Sequence, residues 1–267
     1  MCVSYALNMR VTAPETWPPA TLAAGRRTGR GGLPCLVLTL NASNLDPSTA
    51  GCTPFIGRPF SEQDLDFVST EARTKLANPS LLQRASDLTN NASVNIYMNH
   101  ARMWQLIAEK HQVALVLEED AVIPIGFYRV LEVLLSNLVR DNATNYVLKL
   151  HESSTSHSQW REVYDVAGHR VRTCTCRPSR HSASAAAYLI DRAAAQTLVR
   201  HAYPASMHVD VYVHEMGCIR QKIRLYGMKP DLVLMSDRPS THMNWNSWQR
   251  SYLLWKEKIE NVLYSTC

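Results

Sequence analysis

Val113-Ala114-Leu115-Val116-Leu117-Glu118-Glu119-Asp120 decides how the chain is read. Five apolar residues without helical spacing run straight into three acids. Such a run reads as a strand covered on both faces. It places the acids where a buried strand emerges, which in open α/β sheets is the edge that binds ligands. Three crowded carboxylates repel one another and favour a cation, and oxygen ligands of this kind suit Mg²⁺ or Mn²⁺. The stretch predicts a strand-end metal site serving a phosphate-bearing substrate. A lone acidic triplet reads instead as a solvated turn, so the neighbouring sequence has to decide.

Upstream, Ser93 to Gln112 predicts a helix: Tyr97, Ala101, Trp104 and Ala108 repeat at one face, with Ile107 beside them. Downstream, Phe127, Val130, Leu131, Leu134 and Leu138 form the buried stripe of another helix. Val3–Arg10, Cys35–Leu40, Tyr146–Leu150, Ala185–Ile190, Ile223–Tyr226 and Leu232–Leu234 are strand candidates. Trp160 to Arg180 reads as irregular or hairpin-like, and His208–Val213 as a short strand or a helix entry. Ser61 with Asp64 has the offset of a capping box, and Asp191 caps a helix that Pro204 stops. Trp248, Tyr252, Trp255, Ile259 and Val262 predict a C-terminal amphipathic helix. Strands alternate with helices and no linker interrupts them. The expectation is one α/β domain over 1–267, with a largely parallel sheet flanked by helices and a basic, glycine-rich loop inserted at 23–34.

The net charge of +5 in 267 residues is mild, and the arginine clusters at Arg26–Arg30 and Arg170–Arg180 read as loops, so nucleic acid is not an expected partner. Seven cysteines include the pair Cys174-Thr175-Cys176 but no second pair at zinc-finger spacing, so zinc is a weak reading. Three sequons, at Asn41, Asn91 and Asn142, permit a lumenal location without establishing it. No stretch is long and apolar enough to span a bilayer, and the N-terminus lacks the pattern of a signal peptide. The compartment is expected to be cytosolic, or the ER/Golgi lumen if a targeting segment is missing from this sequence.

Residues Ser93 to Val122, SVNIYMNHARMWQLIAEKHQVALVLEEDAV, resemble the signature of family 25 glycosyltransferases, which include lipooligosaccharide and collagen galactosyltransferases. That signature is a helix carrying Ser-His and Leu-Trp, then a strand ending Leu-Glu-Asp-Asp. Asn99-His100, Met103-Trp104 and Leu117-Glu118-Glu119-Asp120 stand at those positions. The flanks agree: Tyr5–Arg10 is similar to the opening strand, Phe55–Arg58 to an Ala-x-Asp-Gly turn, Leu148-Lys149-Leu150 to a Leu-Lys-Leu strand, and Ala187–Ala195 to a Tyr-Leu-Ile strand-to-helix turn. Asp210 and Lys229–Val233 fall near later segments of that family's pattern. The departures are Glu119 for the middle Asp, Asn99 for Ser, and Ser184-Ala185-Ala186 for Gly-Thr-His.

The resemblance implies a GT-A fold with a Rossmann-like half, a UDP-sugar donor, Mn²⁺ or Mg²⁺, and inverting transfer of galactose or glucose to a hydroxyl on a glycan, lipid-linked glycan or protein. It makes Glu118 and Asp120 the metal ligands of a D-x-D-type motif, since residues two apart on a strand share a side. Glu119 is expected to turn elsewhere, toward donor ribose or sugar. Asn8 and Arg10, ending the first strand, are expected at the nucleotide. Lys149 is expected either to neutralise phosphate or to be exposed. An inverting displacement needs a base, and Asp210 is the candidate, with His208, Asp237 and Glu152 behind it. Two alternatives stand beside this reading. One is phosphoryl or nucleotidyl transfer by the same acids, although no P-loop is present. The other is a degenerate relative serving as a binding or adhesion module.

Overall fold

The computed structural model describes residues 32–82, 86–152, 160–174 and 184–236. The strand expected at Val3–Arg10, nearly all of the inserted loop and the C-terminal helix lie outside these residues, as do Asn8, Arg10 and Asp237.

Eight strands form one sheet in the order β2-β1-β3-β8-β5-β9-β7-β6. These are β1 (Cys35–Thr39), β2 (Thr53–Ile56), β3 (Val113–Glu118), β5 (Tyr146–Lys149), β6 (Trp160–Val166), β7 (His169–Cys174), β8 (Ala187–Asp191) and β9 (Arg224–Lys229). A separate short pair joins β4 (Ala121–Val122) to β10 (Leu234–Met235). Tracing the pairings across the sheet, β1, β2, β3, β5, β6 and β9 run one way and only β7 and β8 run against them. The mostly parallel α/β sheet thus holds, with β8 inserted antiparallel between β3 and β5. The C-terminal ends of β1, β2, β3, β5 and β9 share one edge, and β8 begins there.

Side-chain alternation divides the core in two. Ala114 and Val116 of β3, Val147 of β5, and Tyr188 and Ile190 of β8 face α2 (Asn91–Lys110), α4 (Arg192–His201) and α5 (Val209–His214). Leu115, Leu117, Leu148, Ala187 and Leu189 face α3 (Phe127–Arg140). Of the helical stripes read from periodicity, Tyr97, Ala101, Trp104 and Ile107 in α2 and Phe127, Leu131, Leu134 and Leu138 in α3 are buried, while Ala108 and Val130 are partly buried. Asn90 caps α2 by accepting from the Ser93 amide, and Asp191 caps α4 by accepting from the Ala194 amide. The Ser61–Asp64 capping box opens a 3₁₀ turn, Glu62–Phe67, ahead of α1 (Thr70–Ala77).

Several local expectations change. Asn44 to Pro54 reads as turn-rich, yet Thr53 and Pro54 open β2; it is the sheet's edge, where a missing ladder donor is tolerated. His208–Val213 resolves as entry to α5, and Trp160–Cys174 as the hairpin β6–β7. Cys174 is bonded to Cys218, and Cys35 to Cys52, so the Cys-x-Cys reading as a zinc pair fails. The sequon residues Asn41, Asn91 and Asn142 are all exposed.

Candidate active site

Glu118 ends β3 on the face toward α2. There its Oε1 meets His100 Nε2 at 3.1 Å. His100 Nδ1 lies 2.9 Å from the Tyr188 hydroxyl, and Trp104 Nε1 donates to that same hydroxyl at 2.8 Å. His100 and Trp104 are both 0% exposed, so neither lines a donor pocket directly; both support Glu118 from within the core. Asn99, beside His100, points the other way. It accepts from the Arg58 amide and donates to the Arg58 carbonyl, clamping the turn after β2. Gly57 is required there, because a Cβ would stand 2.8 Å from the Asn99 amide nitrogen.

The strand ends at Glu118, so Glu119 and Asp120 occupy a turn and pleat alternation does not align Asp120 with Glu118. Electrostatics nevertheless couples them. Burial, and then the neighbouring Glu118 charge, push the Asp120 carboxyl up to about 7. Asp120 Oδ1 is buried and has no hydrogen-bond partner among the described residues. A buried, uncompensated carboxylate oxygen beside a second acid fits a cation. No three His, Cys, Asp or Glu side chains among the described residues are grouped to hold a metal by themselves. Two carboxylates suffice for Mg²⁺-type sites in which phosphate oxygens and water complete the shell. Glu119 turns away, as expected, but toward the interior: it is buried and accepts from Thr39 Oγ1 at 2.7 Å, tying the turn to the end of β1.

Lys149, at the end of β5, is 1% exposed, which overturns the exposed alternative. Burial lowers its pKa, and the nearby carboxylates of Asp210 and Glu152 oppose that shift. Asp210 lies in the first turn of α5, partly exposed. Its Oδ1 accepts from the Val211 amide at 2.8 Å. The other base candidates are differently placed. Glu152 is buried and accepts from Arg172 Nη2 at 2.9 Å, and a Cβ on Gly227 would collide with its carboxylate. His208 precedes α5 as its N-cap, its pKa lowered by burial against the pull of Asp210 and Asp87.

Two residues of this edge escaped the sequence reading. His151 lies two residues beyond the end of β5, and its Nδ1 lies 3.9 Å from Asp231 Oδ2. Burial lowers its pKa, while Asp231 and Glu118 oppose the shift. The link from β9 to β10 is pinned there by Leu232 and Val233 amides donating to the Leu150 carbonyl. The strand-end rule that singled out Glu118 applies equally to His151. Asp231 carries no comparable local signal.

Fold and site together define an α/β protein whose acids, histidines and buried lysine gather at the C-terminal edge of its sheet. The sequence profile of glycosyltransferase family 25 (LPS biosynthesis protein) matches residues 73–213, more than half of the chain, and the protein belongs to that family. Its class is therefore glycosyltransferase, which implies a nucleotide-sugar donor and a glycan acceptor. No curated protein matches the chain. Among solved structures, the mannose-1-phosphate geranyltransferase of Thermus thermophilus is similar at 12% identity over 73% of this chain and 72% of that one, with a TM-score of 0.27, too distant to bear on fold or function. Among the described residues, no helix is long and apolar enough to cross a membrane.

Proposed function

We propose that the protein is an inverting, metal-dependent glycosyltransferase of GT-A type that moves a hexose, galactose or glucose, from a UDP-sugar to an acceptor hydroxyl. The observation that carries this reading is the pairing of Glu118 with Asp120, whose buried Oδ1 has no partner among the described residues. These two carboxylates would hold Mn²⁺ or Mg²⁺, which supplies positive charge to the departing diphosphate. Asp210 accepts the proton of the acceptor hydroxyl as its oxygen attacks the anomeric carbon and the bond to UDP breaks. Lys149, buried at the end of β5, interacts electrostatically with Asp210. Asn8 and Arg10 contact the nucleotide and its phosphates. Glu119 acts by fixing the turn against β1, which sets where donor ribose and sugar can lie.

The test is binding and hydrolysis of UDP-galactose and UDP-glucose, with and without Mn²⁺, by the native chain and by Glu118→Ala/Asp120→Ala. Metal-dependent binding that the double variant loses supports the reading. Binding indifferent to metal and to both acids removes the metal, and no UDP-sugar binding removes the donor assignment. A second reading, a catalytically degenerate relative serving as a binding or adhesion module, is favoured by Ser184-Ala185-Ala186 standing where the family pattern has Gly-Thr-His. It predicts glycan binding without donor turnover.

A further inference from the structure

The core behind Glu118 contains a hydrogen-bond chain running from Trp104 through Tyr188 and His100. These residues come from α2 and β8, distant in sequence, and Trp104 and His100 are 0% and Tyr188 2% exposed. The chain ends on the one member that opens to solvent: the Glu118 side chain is 22% exposed. Polar groups at such depth are costly unless satisfied. A tyrosine and a tryptophan bonded to each other would suffice for packing, yet this chain extends to a strand-end acid.

Its direction follows from donor count. The indole N–H of Trp104 can only donate, so the Tyr188 oxygen accepts from it. The single Tyr188 proton is then directed at His100 Nδ1, and a neutral imidazole keeps its own proton on Nε2, where it faces Glu118 Oε1. Glu118 therefore receives an N–H fixed in place by two further bonds. The Oε1 atom of Glu118 is thereby held toward α2.

We infer that Trp104, Tyr188 and His100 form a positioning relay that fixes the His100 tautomer and, through it, holds Glu118 preset to bind the divalent cation. The inference rests on the metal reading of Glu118 given above. None of the three residues touches substrate. Removing such supporting partners typically costs about 10–100-fold in metal affinity.

Three measurements test this. In the metal-free native protein, ¹⁵N NMR of the His100 ring is expected to show the Nε2–H tautomer; an Nδ1–H ring overturns the relay, whatever the variants do. Mn²⁺ titration is expected to show about a 10–100-fold loss of affinity in Tyr188→Phe and His100→Leu. His100→Gln, whose amide can still donate toward Glu118, is expected to recover part of it, a rescue that a space-filling role would not give. Glu118→Ala separates the two levels. If it binds Mn²⁺ like the native chain, the metal reading fails and the inference fails with it. If it loses Mn²⁺ while Tyr188→Phe and His100→Leu retain native affinity, the relay alone is overturned.

Discussion

The two faces of the sheet begin alike and end differently. On the α3 face, β3 contributes Leu115 and Leu117 and β5 contributes Leu148, with Leu150 just beyond it, all apolar. On the α2/α5 face the same strands contribute Ala114 and Val116, then Glu118, and Val147, then Lys149. Between them β8 offers Leu189 to one side and Tyr188 to the other. The polar row is aligned by pairing: Tyr188 sits opposite both Val116 and Lys149, with Glu118 one step further along β3 on the same face. Both faces pack a core, and on the α2/α5 face β3 and β5 end in the acid and the lysine of the candidate site.

The largest effect should separate the faces outright. Glu118→Ala/Asp120→Ala is expected to lower donor turnover about 10³-fold, some 4 kcal/mol of transition-state stabilisation, while thermal unfolding moves little. Equal loss of fold and activity would show that the acids are structural. Leu134→Ala on the α3 face should do the converse. It opens a cavity in a fully buried position and is expected to cost about 2–5 kcal/mol in denaturant unfolding, with KM for donor unchanged in the folded protein. A raised donor KM there would show that the two faces are coupled. Asp210→Asn is expected to reduce kcat about 10²-fold with donor affinity intact; native turnover would remove Asp210 as base.

The smallest effect concerns Lys149. Burial depresses its folded pKa below the unfolded value of 10.5. Just below pH 10.5 the unfolded chain binds more protons, so this group makes stability rise with pH there; its contribution is lost as pH falls through the folded value. Lys149→Met should flatten that rise when unfolding is followed as pH is lowered from 10.5. The buried tyrosines titrate in both proteins, so the difference isolates Lys149. Parallel profiles would mean that Lys149 keeps its proton as readily folded as unfolded.

Much of the fold was legible because its signals are local. Asn90, Asp191 and the Ser61–Asp64 pair mark helix and turn starts within a few residues, and the stripes of α2 and α3 follow from a 3.6-residue period. β2 was hidden by Pro54, because whether a proline-containing run is a strand depends on its being at an edge. The two disulfides were illegible, since seven cysteines do not prescribe pairing. Glu118, Asp120 and Asp210 are candidates that the sequence itself offers. His151 and Asp231 could not be joined, because they lie far apart along the chain and only the path of the β9–β10 link brings them together.

By itself the sequence determined which segments become buried strands and amphipathic helices and that three acids follow one another at the end of β3, since hydrophobic period and capping chemistry act over a few residues. The tertiary structure alone decided what each acid does. It turned Glu119 inward to Thr39, left Asp120 with a buried oxygen unpaired among the described residues, and backed Glu118 with His100, Tyr188 and Trp104. Those outcomes depend on strand order and on which side chains share a face, and hydrogen bonds between residues up to 88 positions apart form only when the sheet is assembled.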